Sequence, residues 1–133
     1  MEVTGRCHCG AISYRAVVDP DQAGICHCTD CQRLTGSAYR VSIPASAESF
    51  TLLGGQPKIY VKTAESGNRR VQAFCAECGS PIYSCAVKDP PLYMLRIGGI
   101  DQRASLAPRR QIWCRSAMPW SADIAGLPKS ARE

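Results

Sequence analysis

The chain has 133 residues, with sixteen lysines and arginines against eleven aspartates and glutamates and a formal net charge of +5. That length suits one domain spanning 1–133, with a core over about 5–120 and a loose tail over 121–133, and it needs no disulfides to hold a core. The basic residues are scattered, densest at Arg69-Arg70 and Arg109-Arg110, without the basic stripe and interleaved aromatics of a nucleic-acid reader.

The opening "MEVTGRCHCG" lacks the apolar run of a secretory signal. No later stretch nears the roughly 20 apolar residues of a membrane span, so a soluble protein of a reducing cytoplasm is expected. In such a compartment the nine cysteines, an odd number, are more readily metal ligands or catalytic groups than disulfides. "AISYRAVV", residues 11–18, alternates with period two and predicts a strand. Next comes "GICHCTDCQRLTGS", residues 24–37, with three cysteines and a histidine in six positions. Its segment "TDCQRLTG" has room for a helical turn or two, too short for an amphipathic helix stable by itself.

Six more short runs read as strands: "SAYRVSI", "SFTLL", "PKIYVKT", "RRVQAF", "PIYSCAV" and "PLYMLRIGGI". Gly54-Gly55, Gly67-Asn68 and Pro90-Pro91 punctuate them. The tail from Ala117 holds at most another helical turn. The fold class is therefore all-β, a sandwich or barrel of short strands.

Spacing sorts seven cysteines into three groups: Cys7 and Cys9; Cys26, Cys28 and Cys31; and Cys75 and Cys78. Cys85 and Cys114 stand alone. "FCAECGSPIY" resembles a zinc knuckle, two thiolates followed by a glycine that lets the turn aim N–H groups at sulfur. A thioredoxin-like reading of "CAEC" fails, because Gly79 leads into a strand-like run rather than a helix. The natural partners of Cys75 and Cys78 are Cys7 and Cys9, giving a closed four-thiolate site that contributes folding energy. Cys26, Cys28 and Cys31 then present three thiolates to a second ion, the donor count of a catalytic zinc. Cys85, Cys114 or Asp30 are the candidates for closing that second site, and iron is an alternative metal for thiolates. His27, between two proposed ligands, points away from their metal on this reading.

Together "GRCHCGAISY", "CHCTDCQRLTGS", "LLGGQPKIY", "SGNRRVQAFCAECGSPIY", "RIGGID" and "IWCRSAMPW" resemble the glutathione-dependent formaldehyde-activating enzyme family, also called the centromere protein V domain, over about 5–120. The resemblance implies an Mss4-like fold of short antiparallel strands organised around two zinc ions. It assigns Cys7, Cys9, Cys75 and Cys78 to a structural zinc and Cys26, Cys28 and Cys31 to a catalytic one. The implied activity is that of a carbon–sulfur lyase, the interconversion of glutathione plus formaldehyde with S-(hydroxymethyl)glutathione. Glutathione or another small anionic thiol would need cationic partners, for which Arg33, Arg69 and Arg70 are the candidates. One departure from the family pattern is Gln111 in "RRQIW", where a histidine is common. The competing function is a non-catalytic zinc-binding module that contacts protein or nucleic acid.

Overall fold

The computed structural model describes residues 1–133. In β1 (Glu2–Arg6) and β2 (Ser13–Val17) every second side chain is buried, and the same parity continues into β5 (Thr51–Gly54). These strands make a three-stranded antiparallel sheet with β2 in the middle, in which Val3 faces Ala16, Gly5 faces Tyr14, and Tyr14 faces Leu52. Gly5 is dictated by its partner, since a Cβ there would lie 2.2 Å from the Tyr14 ring.

The second sheet has seven strands: β3 (Gly24–Cys26), β4 (Arg40–Ser46), β6 (Lys58–Thr63), β7 (Arg69–Phe74), β8 (Pro81–Ala86), β9 (Leu92–Arg96) and β10 (Arg110–Ile112). Their spatial order is β10-β3-β4-β9-β8-β7-β6. Register pairs Ile43 with Leu95, Leu95 with Tyr83, Tyr83 with Ala73, and Cys85 with Val71, so one face of this sheet is apolar. All of these residues belong to a core of eighteen buried side chains that also takes Val3, Tyr14 and Ala16 from the small sheet. Burying a large apolar side chain contributes about 1.5–3 kcal/mol, so this face is the main source of cohesion. Phe50 links the layers, stacking on Tyr93 at 4.6 Å and meeting Tyr14 and Tyr83 at 5.5 and 5.4 Å.

The only α-helix is α1 (Thr29–Thr35). The Cys28 sulfur caps it by accepting from the Cys31 N–H at 3.3 Å, and Gly36 ends it in the left-handed region at φ 66°. Seven residues do not sustain a helix alone. Here the Gln32 side-chain amide donates to the carbonyls of His27 and Ser116, at 2.8 and 2.9 Å, and ties the helix to the chain before and after it.

The structure departs from the sequence reading in four places. Strands β1, β3 and β10 are additional; two of them are three residues long and owe their existence to neighbours rather than to pattern. The strand expected to end at Ile43 runs on to Ser46 through Pro44. Proline is accommodated because β3 pairs only with Arg40–Ser42, leaving no ladder bond to lose on that side. Pairing is not wholly antiparallel, since β10 lies parallel to β3. The long crossover between them permits it, whereas a hairpin would not. "PLYMLRIGGI" is a strand only to Arg96 and then turns as a 3-10 helix over Ile97–Gly99. Residues 122–133 are exposed and contribute no strand, and no helix is long and apolar enough to cross a membrane.

Candidate metal centres and active site

Two turns bring the first cysteine group together. "CHCG" and "CAECG" each end in a glycine at positive φ, Gly10 at 82° and Gly79 at 78°. Each turn closes on its first cysteine, Gly10 N–H donating to the Cys7 carbonyl and Gly79 N–H to that of Cys75. The sulfurs of Cys7, Cys9, Cys75 and Cys78 lie within 4.8 Å of one another, with Cys7–Cys9 at 3.6 Å and Cys9–Cys75 at 3.8 Å. Four thiolates about 2.3 Å from a tetrahedral zinc stand about 3.8 Å apart, so this cage has the right size. The Ile12 N–H donates to the Cys7 sulfur at 3.3 Å, and Ser80 Oγ lies 3.2 Å from that of Cys78. Cys78 is pushed down to about 5, first by its hydrogen bond with Ser80. Such donors stabilise the thiolate form that a metal requires.

The second group is assembled by β3 and α1. Cys26 ends the strand, Cys28 caps the helix and Cys31 stands in its first turn, with the three sulfurs mutually within 4.8 Å. No other cysteine, histidine or carboxylate joins them. Each sequence candidate for a fourth ligand is placed elsewhere: Cys85 is buried in the core, Cys114 is exposed, and Asp30 is bound to Lys62 at 2.9 Å. Crowding of the three thiols splits their acidity. Cys26 is pushed down to about 5, first by the neighbouring Cys31 thiol and further by Lys62. Cys31 is pushed far up, first by the neighbouring Cys26 thiolate and then by its partial burial. A soft divalent cation relieves this repulsion, and the donor set suits zinc or another thiophilic metal.

His27 lies away from this group. It is buried, packed edge-on to Tyr39, and its Nε2 sits 2.7 Å from Gln111 Oε1. Because that oxygen can only accept, Nε2 carries the proton. Gln111, the departure in the C-terminal motif, is thus the partner that a buried histidine requires.

Register explains what surrounds the three cysteines. Cys26 faces Arg40 across β3 and β4, Ser42 faces Arg96, Met94 faces Ser84, Ser84 faces Gln72, and Arg70 faces Lys62. All of these side chains therefore stand on the face of the large sheet opposite the apolar one. They line one cavity of about 260 Å³ together with Cys26, Cys28 and Cys31. Among the sequence candidates for anion binding, Arg70 lines this cavity, whereas Arg33 and Arg69 are exposed and do not. Arg40, Lys62, Arg96 and Gln72 escaped the sequence reading. For the two arginines the signal was a position opposite in parity to the core residues of "YRVSI" and "YMLRI", which period-two reasoning assigns to solvent.

The family model described as "Glutathione-dependent formaldehyde-activating enzyme" matches residues 2–116. A protein of Halomonas elongata named "Putative glutathione-dependent formaldehyde-activating enzyme" is 26% identical over 117 residues, covering 83% of this chain and 73% of its own. A crystal structure of a Rhodobacter sphaeroides protein superposes with a TM-score of 0.63 at 18% identity, over 81% of this chain and 98% of that one, which supports the fold alone. With the family match spanning both cysteine groups and the cavity face, the chain belongs to the glutathione-dependent formaldehyde-activating enzyme family.

Proposed function

We propose that this protein is a zinc-dependent carbon–sulfur lyase acting on a thiol–aldehyde adduct such as S-(hydroxymethyl)glutathione, with its chemistry at Cys26, Cys28 and Cys31. The observation that carries this reading is a three-thiol donor set, without a fourth protein ligand, facing a cavity rich in guanidinium groups. Cys7, Cys9, Cys75 and Cys78 would hold a second zinc with a structural role, in an Mss4-like arrangement. Metal at the three-cysteine group would supply a site at which a substrate thiol is favoured as thiolate or a carbonyl is polarised. In the cleavage direction the carbon–sulfur bond breaks, sulfur keeps the electron pair, and the hydroxyl proton is released as formaldehyde forms. The reverse direction joins the same atoms.

The chain's own residues supply position and charge. The Cys31 N–H holds the Cys28 sulfur, Lys62 fastens Asp30 beside the cluster, and the cavity's cations favour an anionic thiol. Because those cations gather in a cavity rather than along an exposed stripe, a small-molecule substrate is favoured over a nucleic-acid partner. A cytoplasmic setting agrees with thiols that must stay reduced. The test is NMR exchange spectroscopy of hydroxymethyl-adduct formation with the protein carrying two zincs per chain. Exchange faster than the spontaneous reaction, and lost in Cys28→Ser, is expected; a rate equal to the uncatalysed one removes the formaldehyde assignment.

A further inference from the structure

Beside the three sulfurs the cavity carries an apolar wall that the core does not use. Leu34 follows Cys31 by one helical turn, and Ile112 pairs in parallel register with Cys26, so each stands on the same face of its element as a ligand cysteine or its neighbour. Met94 and Trp113 complete the wall, and all four residues line the cavity of about 260 Å³ with Cys26, Cys28 and Cys31. None of them belongs to the apolar core or packs against it.

The chain bears a conformational cost to hold this wall. Trp113 sits in the left-handed region at φ 56°, where bulky side chains are rarely found. Hydrogen bonds on both sides fix it there, the His27 N–H donating to the Ile112 carbonyl at 3.1 Å and the Ser116 N–H to that of Trp113 at 3.0 Å. The Arg115 guanidinium lies over the indole, 5.0 Å from the ring centroid. A sheath that merely kept water from a metal would itself be buried, yet Ile112 and Trp113 are 51% and 42% exposed. Nor does a one-carbon aldehyde call for such a wall, because a hydroxymethyl group ends in a polar hydroxyl and fills the space of about two waters, each ~30 Å³. Apolar side chains left open beside the reacting atoms suit an apolar group on the ligand.

We propose that Leu34, Met94, Ile112 and Trp113 form a subsite for an apolar substituent on the carbonyl partner, so that the aldehyde handled here carries an alkyl or aryl group; this rests on the lyase reading for the thiol chemistry. In the adding direction the thiolate sulfur gives an electron pair to the carbonyl carbon, the C=O π pair moves to oxygen, and that oxygen takes up the proton the thiol released. Cleavage returns the same atoms and electrons, with the substituent against the wall and no oxidant or reductant consumed.

The test is NMR exchange spectroscopy of the full-length chain carrying two zincs, with glutathione and either formaldehyde or 3-methylbutanal at equal, subsaturating adduct concentration. Each buried methylene favours the bound state about fourfold, so partial burial of four added carbons should make the acceleration over the spontaneous reaction about 10- to 100-fold greater for 3-methylbutanal. Trp113→Gly, which suits the left-handed backbone, and Leu34→Ala are each expected to lower that ratio about fivefold at unchanged zinc content and circular dichroism. A ratio that both variants keep overturns the assignment of the wall. Acceleration of both adducts with no advantage for 3-methylbutanal overturns the proposal and leaves the lyase reading standing. Acceleration of neither removes the lyase reading, and NMR titration with the unreactive 3-methylbutanamide and formamide then decides the subsite: binding of the former about tenfold tighter supports it, and equal binding overturns it.

Discussion

At Cys31 the environment opposes the state that a metal needs. Its half-buried thiol stands beside the Cys26 sulfur, which pushes its acidity far down and favours its protonated form, while Cys26 is pushed down to about 5. Loading a metal must therefore expel the Cys31 proton. At neutral pH we expect release of at least about one proton per metal bound at this centre, and affinity that rises about tenfold per pH unit for each proton displaced. As pH falls through about 5, Cys26 also takes up a proton and the loss of metal steepens. An indicator dye in weak buffer, with Cys75, Cys78 and their partners already metallated, measures this; loading without acidification would contradict it. Tyr14 offers a second test at this scale. Its ring covers Gly5, but its hydroxyl is buried without a hydrogen-bond partner, and burial pushes its pKa up. Tyr14→Phe removes an unsatisfied group and keeps the ring, so chemical denaturation should show a stability unchanged or higher by about 1 kcal/mol.

Among the elements, the two knuckles and the β3–α1 junction hold their cysteines in different ways. Cys7 and Cys75 are buried in the core, sixty-eight positions apart in sequence, so a metal between them would staple the chain's beginning to its middle. Cys75→Ser should lower the melting temperature sharply or leave the chain unfolded. Cys28→Ser perturbs only a strand end and a seven-residue helix, and should give a folded protein that retains one metal and has no lyase activity. Equal unfolding in both variants, followed by circular dichroism and metal analysis, would show that the clusters share one structural role. Gly55, just beyond β5, is held at φ 76° with a Cβ position 2.2 Å from the Ala11 carbonyl oxygen. Gly55→Ala should therefore cost about 1–3 kcal/mol by denaturant titration, because backbone must move on both sides.

For the whole molecule, the large sheet divides labour between its faces. One face, with Ile43, Leu95, Tyr83 and Ala73, joins the core; the other, with Cys26, Arg40, Arg96 and Gln72, makes the cavity. Metal removal should act on these faces unequally. A strong chelator that strips both centres should lower the melting temperature, and restoring one metal per chain to the four-cysteine cage should recover most of the loss. Calorimetry with one and with two metals per chain checks this; equal increments from each metal would argue against a mainly catalytic second centre.

Sequence alone determined the short-strand class, the sorting of seven cysteines into a cage of four and a group of three, and the family, because ligand spacing and period-two alternation are local properties. It placed seven of the ten strands but overlooked Glu2–Arg6, Gly24–Cys26 and Arg110–Ile112, the last two of which are too short to show a period. Only the tertiary structure decided which arginines matter. Arg33 and Arg69 sit near the cysteines in sequence yet point to solvent, while Arg40 and Arg96, fifty-six positions apart, meet over Gln72 because β4 pairs with β9. Alternation says that a side chain faces the other way from its neighbours; whether that other side is open water or the wall of a cavity depends on what the rest of the chain lays beside it.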